Sequence, residues 1–456
     1  TLPGIAGIIL GIGMGVDANV ITAERIKEEL SKNKTLEGAV NSGFKMGLTP
    51  IIDGNVTIVI VAAILMGAFG PTDGFWAKVF NPIFYWFGPS TAGTIYSFGF
   101  TLLTSVLLNF VFGVWATRVM IRGAVHFKPL RKAWLFGGKK EGGADFKTPS
   151  INFIGNRKKF YTFSCALIAV VLVFCGIFGV KMDVEFKGGS MITLAYEGDA
   201  DLSDLKSTIG AELGKSNLTL QTGSDISGNQ TLTVTLPGSD TLTTEQLDNL
   251  LTALNEQYPD NKFVQNEVSN VDATIGKEFL VKSVVALVAA CVLILLYVAY
   301  RFRKIGGLKA GSTAIVALLH DMFVVFGVFV LLRIPLNGNF IAALLTILGY
   351  SINDTVVIYD RIRENSALYG KKQMSLAELV NLSVNQSFAR SLMTSITTCL
   401  ALGVVCVVSV IYRLDSIYSF AFPLLFGMVS GVYSTICIAT PLWVDWKNKK
   451  KAAKKA

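Results

Sequence analysis

The chain has 456 residues, of which 52% are hydrophobic and only 16% are charged. This composition is typical of a protein that crosses a membrane several times, and it argues against a soluble enzyme of this length. The net charge of +9 does not indicate a nucleic-acid-binding protein, because the basic residues are concentrated in loops that follow apolar stretches.

Nine apolar stretches are long enough, or nearly so, to cross a hydrocarbon core, which requires about 20 residues of helix. Basic loops follow the first, third, fifth and seventh stretches, and such loops stay in the cytoplasm. The predicted fold class is therefore a polytopic α-helical protein of the cell membrane with a cytoplasmic C-terminus. The predicted spans lie near residues 4–23, 49–70, 92–119, 160–180, 280–300, 311–333, 338–359, 389–412 and 416–444.

The long segment at residues 183–275 is predicted to lie outside the cell, and between Asp183 and Asp272 it carries fifteen acidic and four basic residues. Strand-like and helix-like runs follow one another in the order β-α-β-β-α-β, which predicts a small extracytoplasmic α+β domain of the ferredoxin-like type. Asp201 or Ser203 is expected to cap its first helix. The strand-like runs are Met191–Tyr196, Leu218–Thr222, Thr231–Leu236 and Phe263–Val268, and the helix-like runs are Leu202–Leu213 and Thr243–Gln257.

Two segments of the chain are near-copies, and each places a carboxylate inside an apolar span. Asp17 lies in residues 13–28 and Asp354 in residues 349–364, and both segments end in the string acid-Arg-Ile-base-Glu. An ionisable group in hydrocarbon costs at least a few kcal/mol, so it usually marks an ion path or a buried pair. Two acids at matching depth predict ion-coupled transport. The alternative is that both acids are permanently protonated or paired and hold helices together.

The near-copies also indicate a pseudo-repeat of two halves with a truncated first half. Three spans and an external domain precede the second copy, whereas the first copy begins almost at residue 1. We therefore expect three further spans and a larger external domain upstream. The predicted parts are residues 1–120 with three spans, a basic cytoplasmic linker at 121–159, one span at 160–182, the external domain at 183–275, a bundle of five spans at 276–446 and a basic cytoplasmic tail at 447–456.

Further charged residues lie inside or beside the predicted spans. Arg390 begins the eighth span in a hydroxyl-rich run, where it is the candidate partner of the two acids or, alternatively, an anchor at the membrane surface. His320 and Asp321 lie midway along the sixth span, where they can relay protons or form a buried structural pair. Asp53 in the second span is a weaker candidate, because the nearby Pro50 predicts an irregular start to that helix.

Signatures of an enzyme are missing from the sequence. Residues 210–216 resemble a phosphate-binding loop, but they are one residue too short between the glycines and follow a predicted helix instead of a strand. The chain has two histidines, too few for a multi-histidine metal site, and its six cysteines lie in apolar stretches without metal-binding spacing. We therefore expect no metal, no cofactor and no enzymatic reaction.

Three motifs of the chain are long enough to compare with known families. They are the stretch Gly13-Met-Gly-Val-Asp-Ala-Asn-Val with Glu24 and Arg25 after it, the run Phe186, Lys187, Gly188 and Gly189, and residues 349–365 with Asp360 and Arg361. These motifs resemble those of SecDF, a fused SecD/SecF protein-export accessory of the resistance-nodulation-division superfamily. Residues 1–120 resemble the C-terminal part of SecD, and residues 150–446 resemble a complete SecF.

The resemblance implies a role and a set of partners. SecDF proteins work with the SecYEG channel and the SecA motor, and they use the ion gradient to promote the late translocation of unfolded preproteins across the cytoplasmic membrane. YajC and YidC are implied as further partners, together with membrane lipid and without nucleic acid. The resemblance matches Asp17, Asp354 and Arg390 to the family's ion-coupling residues, and it leaves both protons and sodium ions open as the coupling ion.

Other functions also remain open from the sequence. A small-molecule or lipid exporter of the same superfamily is one alternative, although such proteins carry larger external domains. An assembly scaffold without transport is another, and it predicts that activity survives when Asp17 or Asp354 is replaced by Asn. An ion channel is disfavoured, because no stretch resembles a selectivity filter.

Overall fold

The computed structural model describes residues 2–87, 93–138, 150–198, 201–215, 218–224, 230–237, 242–412 and 414–452. Within these ranges it contains nine helices that are long and apolar enough to span a membrane, which confirms the predicted polytopic helical fold. These candidate spans are Gly7–Ser31, Leu36–Phe69, Ile95–His126, Arg157–Phe178, Thr274–Arg301, Gly307–Leu331, Gly338–Tyr369, Leu376–Ile411 and Ile417–Asn448.

Numbered in chain order, the described helices are α1 (Leu2–Ser31), α2 (Leu36–Phe69), α3 (Phe75–Phe84), α4 (Gly93–Leu108), α5 (Thr117–His126), α6 (Arg157–Phe178), α7 (Val184–Lys187), α8 (Leu202–Glu212), α9 (Thr244–Gln257), α10 (Ala273–Arg301), α11 (Gly307–Leu331), α12 (Gly338–Gln373), α13 (Leu376–Ile411), α14 (Asp415–Ser434) and α15 (Thr440–Ala452). Two π-helical stretches, Asn109–Ala116 and Thr435–Ala439, continue α4 into α5 and α14 into α15. Each of these pairs therefore forms one span.

The helices α2 and α13 both begin well before the apolar stretches from which they are predicted. The Thr35 side chain caps α2 by accepting a backbone hydrogen bond at 3.2 Å, and Ser375 and Glu378 form a reciprocal capping box at the start of α13. The prediction of an irregular helix start at Pro50 is wrong, because α2 runs through this proline without interruption. Neighbouring helices in a bundle can accommodate the backbone groups that a proline leaves without partners.

The predicted external domain is a four-stranded antiparallel sheet in the spatial order β2-β3-β1-β4, with two helices. This topology confirms the ferredoxin-like prediction. Asp201, and not Ser203, caps α8, since its carboxylate accepts the Ser203 backbone N–H at 2.7 Å. Thr243 forms a capping box at the start of α9. The strands are β1 (Gly189–Tyr196), β2 (Thr219–Ser224), β3 (Gln230–Pro237) and β4 (Val264–Val271).

The sheet domain has a hydrophobic core of its own. Alternate residues of β3 (Leu232, Val234 and Leu236) are buried, as expected for a strand with one covered face. They belong to one cluster with Leu250 and Leu254 of α9, and this cluster is separate from the core of the helical bundle.

The segment before β1 joins the sheet domain to the bundle. Met182 forms a parallel β-bridge with Leu336, and the backbone N–H of Asp183 donates to the Leu336 carbonyl at 2.9 Å. A Glu185 carboxylate oxygen accepts the backbone N–H of Gly338, the first residue of α12, at 2.6 Å. Burial raises the pKa of the Asp183 and Glu185 carboxyl groups above their ordinary values. We call these five residues the domain junction.

Candidate ion-coupling site

The two near-copied segments, on α1 and α12, contact each other through side chains. The Tyr350 hydroxyl donates to the Leu10 carbonyl, and the Asn353 amide donates to the Asp17 carboxylate at 2.8 Å. Asp17 and Asn353 are equivalent positions when the two copies are aligned on their first glycines. Contact between equivalent positions is the signature of a two-fold relation, so the repeat in the sequence corresponds to a pseudo-symmetric interface.

Asp17 is the centre of the candidate site, and it is only 5% exposed. One of its carboxylate oxygens accepts hydrogen bonds from Arg390 at 3.1 Å and from the Thr394 hydroxyl at 3.0 Å, both on α13. The other oxygen accepts the Asn353 amide. The guanidinium and the amide N–H groups can only donate, so these surroundings suit a negatively charged carboxylate. The structure therefore places Arg390 against Asp17, and their role in ion coupling stays a prediction.

Asp354 lies beside this ion pair without joining it. Its side chain is buried and interacts electrostatically with Asp17 and Arg390. Within the described part of the chain its carboxylate accepts no hydrogen bond, and the buried Arg390 Nε has no partner either. The site thus combines two carboxylates with one guanidinium. Electrical neutrality of such a group requires one additional proton or bound cation.

Two small cavities border the ion pair. One of about 10 Å³ lies beside Asp17 and is also lined by Asn55 and Asn353. The other, of about 40 Å³, is lined by Arg390 and Gln386 and by charged residues at the ends of α1 and α12 that lie away from the sheet domain. A cavity needs about 10–15 Å³ to hold one water. The first cavity therefore admits about one water, and the second admits a few.

Four charged side chains meet at the ends of α1 and α12 that lie away from the sheet domain. Arg25 contacts Glu364 at 3.0 Å and Arg361 contacts Glu28, so each helix pairs with the other. Within each helix, Arg25 also contacts Glu28 at 3.0 Å, and Arg361 contacts Glu364 at 3.1 Å. Between 12% and 27% of each side chain is exposed. We call these four residues the charge ring.

Glu24 and Asp360, the first residues of the two repeated strings, do not take part in the Asp17 ion pair. Glu24 lies 4.0 Å from Lys27, one turn along α1. Asp360 pairs with Arg363, one turn along α12. Both acids nevertheless line the cavity that leads to Arg390, so their carboxyl groups form part of its wall.

Asp53 is buried, but the structure places it in a different ion pair. Arg301 of α10 donates its Nε–H to both carboxylate oxygens at 2.7 Å, and the Tyr297 hydroxyl donates to one of them at 3.0 Å. This group of residues fastens α2 to α10. This tie between two helices explains why the second span contains Asp53.

His320 and Asp321 form a second buried polar cluster. The Asp321 carboxylate is fully buried and accepts hydrogen bonds from Ser351 at 2.6 Å, Ser430 at 2.6 Å and Ser434 at 2.7 Å. His320 Nδ1 lies 3.3 Å from the same carboxylate. These residues come from α11, α12 and α14, so the cluster links three helices. A carboxylate with three hydroxyl donors matches the buried structural alternative more closely than an open relay.

The motif of residues 186–189 shapes the start of the sheet domain and lies apart from the Asp17 ion pair. Phe186 is buried and stacks on Phe279 of α10 with ring centroids 5.5 Å apart. Gly188 and Gly189 have φ angles of 78° and 138°, which glycine adopts without strain. Lys187 is exposed. The motif therefore fixes how the chain turns from α7 into β1.

Three residues of the site were not predicted from the sequence. Asn353 stands beside Asp354 in the second motif, and Thr394 lies in the hydroxyl-rich run after Arg390. Gly54 of α2 makes room for Asn353, since a Cβ at position 54 would lie 1.8 Å from the Asn353 amide oxygen. A glycine inside a span was the available signal for such a close approach.

Comparison with known proteins gives a consistent result. Residues 251–449 match the family described as Protein export membrane protein SecD/SecF, C-terminal. The chain is 31% identical to the protein translocase subunit SecDF of Bacillus subtilis, with 99% of this chain and 58% of the relative covered. It is 35% identical to the protein translocase subunit SecF of Alicyclobacillus acidocaldarius, with 67% of this chain and 96% of the relative covered.

Solved structures give the same fold. The crystal structure of SecDF from Thermus thermophilus, a translocon-associated membrane protein, matches with a TM-score of 0.78 at 30% identity and covers 98% of this chain and 55% of the other. SecDF in its super-membrane-facing form matches with a TM-score of 0.69 at 31% identity, over 100% of this chain and 56% of the other. The chain therefore spans a little over half of the length of the SecDF proteins that it matches.

Proposed function

Because the chain belongs to the SecD/SecF family of protein-export membrane proteins, we propose that it promotes preprotein translocation across the cytoplasmic membrane, with the SecYEG channel and the SecA motor as partners. The similarity to a solved translocon-associated membrane protein over nearly the whole chain supports this role. In our proposal the helical bundle uses an ion gradient to move the sheet domain, which acts on the emerging preprotein.

The observation that carries this proposal is the grouping of two buried carboxylates around one guanidinium, which is paired with only one of them. Arg390 contacts Asp17, whereas Asp354 has a charge interaction but no hydrogen bond within the described residues. The Nε–H of Arg390 has no hydrogen-bond partner among the described residues, so it is available to Asp354 when a proton is gained or lost. One charge that crosses 100 mV releases about 2.3 kcal/mol, which changes the ratio of two conformations about 50-fold.

We propose a proton as the coupling ion. Both oxygens of Asp17 are already engaged in hydrogen bonds, the cavity beside it admits about one water, and Asp354 lines neither of the two cavities. A sodium ion would have to gather several oxygen ligands in this space, whereas a proton needs none. We expect export to continue unchanged when sodium is replaced by potassium at constant pH. A requirement for sodium would contradict the choice of a proton.

We also propose that the sheet domain lies outside the cell and that the charge ring faces the cytoplasm. Basic residues gather in loops and in the C-terminal tail at the end of the bundle that carries the charge ring. The excess of Lys and Arg in cytoplasmic loops sets the orientation of most membrane proteins. The acidic sheet domain, at the opposite end, fits the outer face.

The test is preprotein export in cells that carry Asp354→Asn, with the abundance of the protein measured alongside. We expect the variant to be present at normal abundance but to lose the part of export that depends on the ion gradient. Asn is close to isosteric with Asp but cannot exchange a proton. The matched control is Asp73→Asn, which replaces an exposed acid in the loop before α3 and should leave export unchanged. Normal gradient-dependent export in the Asp354→Asn variant would overturn the proposal and favour a scaffold.

A further inference from the structure

The contacts of the charge ring are reciprocal. Arg25 and Glu28 of α1 occupy the same positions in the repeat as Arg361 and Glu364 of α12. Each arginine contacts the glutamate of the other helix, so the two contacts between helices are equivalent. Such a reciprocal pattern is that of an isologous interface, in which one residue pair occurs twice about a two-fold axis.

The charge ring lies between two spaces. On one side is an open pocket of about 540 Å³, which is lined by Arg25, Glu364 and Thr49 among others. On the other side is the cavity of about 40 Å³, which is lined by Arg361 and reaches Arg390. Members of the ring therefore line both the open pocket and the cavity that reaches Arg390.

The ring also lies where the two halves of the bundle meet. Helix α1 packs tightly on α2 of its own half, since a Cβ at Gly43 would lie 2.9 Å from the Ile26 backbone nitrogen. Helix α12 packs on α11 and α14 of the other half and, at the level of Asn353 and Gly54, also on α2 of the first half. Bridges between α1 and α12 are made by side chains, including the hydroxyl of Tyr350 and the charge ring. Side-chain bridges can break without disturbing the backbone packing inside either half.

The contacts within each helix distinguish the ring from a permanent tie. When α1 and α12 separate, Arg25 keeps its contact with Glu28, and Arg361 keeps its contact with Glu364. Each helix end then carries a neutral pair, so that opening leaves no charge without a partner. An ion pair between two helices without such contacts within each helix would leave two isolated charges when the helices separate.

From this arrangement, and resting on the function proposed above, we infer that Arg25, Glu28, Arg361 and Glu364 form the gate on the ring side of the ion pathway. Contacts between the helices close it, and the contacts within each helix leave both helix ends neutral when it opens. Closure separates Arg390 and Asp17 from the aqueous pocket, and opening connects them.

The first experiment measures access through the ring. In protein whose six native cysteines are replaced, Ser387→Cys puts a thiol on the wall of the cavity near Arg390. A membrane-impermeant maleimide is added to vesicles on the side of the membrane that the charge ring faces. A partly exposed ion pair changes an equilibrium by up to about fivefold, so Arg25→Ala with Arg361→Ala should raise the labelling rate about fivefold or more. Thr49→Cys in the open pocket is the control and should be labelled equally in every variant.

The second experiment exchanges the charges. Arg25→Glu with Glu364→Arg preserves both contacts between the helices but places like charges together within each helix. We expect this double variant to be locked closed, with slower labelling at position 387 and loss of gradient-dependent export. Adding Glu28→Arg and Arg361→Glu restores contacts of both kinds and should restore labelling and export.

The outcomes separate the gate from a static tie and from failure of the proposed function. Normal export by the double variant would mean that the ring merely holds the helices together, and it would overturn the gate. Unchanged labelling after removal of Arg25 and Arg361 would overturn it as well. Labelling does not depend on export, so normal export by the Asp354→Asn variant would overturn the proposed function without altering the labelling test.

Discussion

The ion pair of Asp17 and Arg390 allows the energetic role of the site to be measured. At 3.1 Å, two unit charges interact by about 5 kcal/mol when the effective dielectric constant is about 20. Arg390→Leu removes the cation beside two acids and should cost about 3–5 kcal/mol of unfolding free energy. Asp17→Asn should cost less, because Asp354 remains as a second anion for Arg390 and the Asn side chain can still accept the Thr394 hydrogen bond.

The assay is a double-mutant cycle on the purified protein in lipid–detergent micelles, unfolded with increasing SDS. The combined variant, Asp17→Asn with Arg390→Leu, has one unpaired carboxylate fewer than Arg390→Leu alone. It should therefore be about 2 kcal/mol more stable than the sum of the two single losses predicts. Arg303→Leu, at an exposed position, is the control and should cost at most about 1 kcal/mol. If the unfolding free energies lost by the two single variants add up to the loss in the double variant within about 0.5 kcal/mol, the reasoning is refuted.

Two further predictions test the surroundings of the site. Gly54→Ala should displace Asn353 and lower the unfolding free energy by about 1–3 kcal/mol in the same SDS assay. The control is Gly403→Ala, which has nothing within 4 Å of its added Cβ and should be neutral or stabilising. Equal effects of the two substitutions would contradict the packing argument. Burial and the neighbouring Asp183 raise the pKa of Glu185 above 4.5, so the folded protein loses stability as the pH rises through this raised value. Glu185→Gln should therefore flatten the decline of the melting temperature as the pH rises above 4.5, and an unchanged profile would contradict it.

The spans and the sheet domain could be predicted because their signals are local. A stretch of apolar residues of sufficient length predicts a span wherever it occurs, and alternate burial in β3 follows from the residue pattern of one strand. The early starts of α2 and α13 could not be predicted from hydropathy. Both depend on polar first turns that are capped by Thr35 and Ser375, and these turns extend each helix beyond the apolar stretch.

The composition of the ion pair was less predictable than its existence. The two acids follow from their position inside apolar spans, but which side chain faces Asp17 depends on the packing of α1 against α12. The repeat aligns Asp17 with Asn353, and the contact between them places Asp354 one residue farther along α12. Asp53 shows the same limit, because its partner Arg301 lies 248 residues away and no local pattern connects them.

Helix α12 links the features on which these predictions depend. Its first residue, Gly338, donates to Glu185 in the domain junction, Asn353 at its middle donates to Asp17, and Arg361 farther along belongs to the charge ring. A shift of α12 along its axis would therefore strain the contacts at all three levels together. Because packed helices move as stiff units, a change of charge beside Asp354 has a continuous path of contacts to the sheet domain.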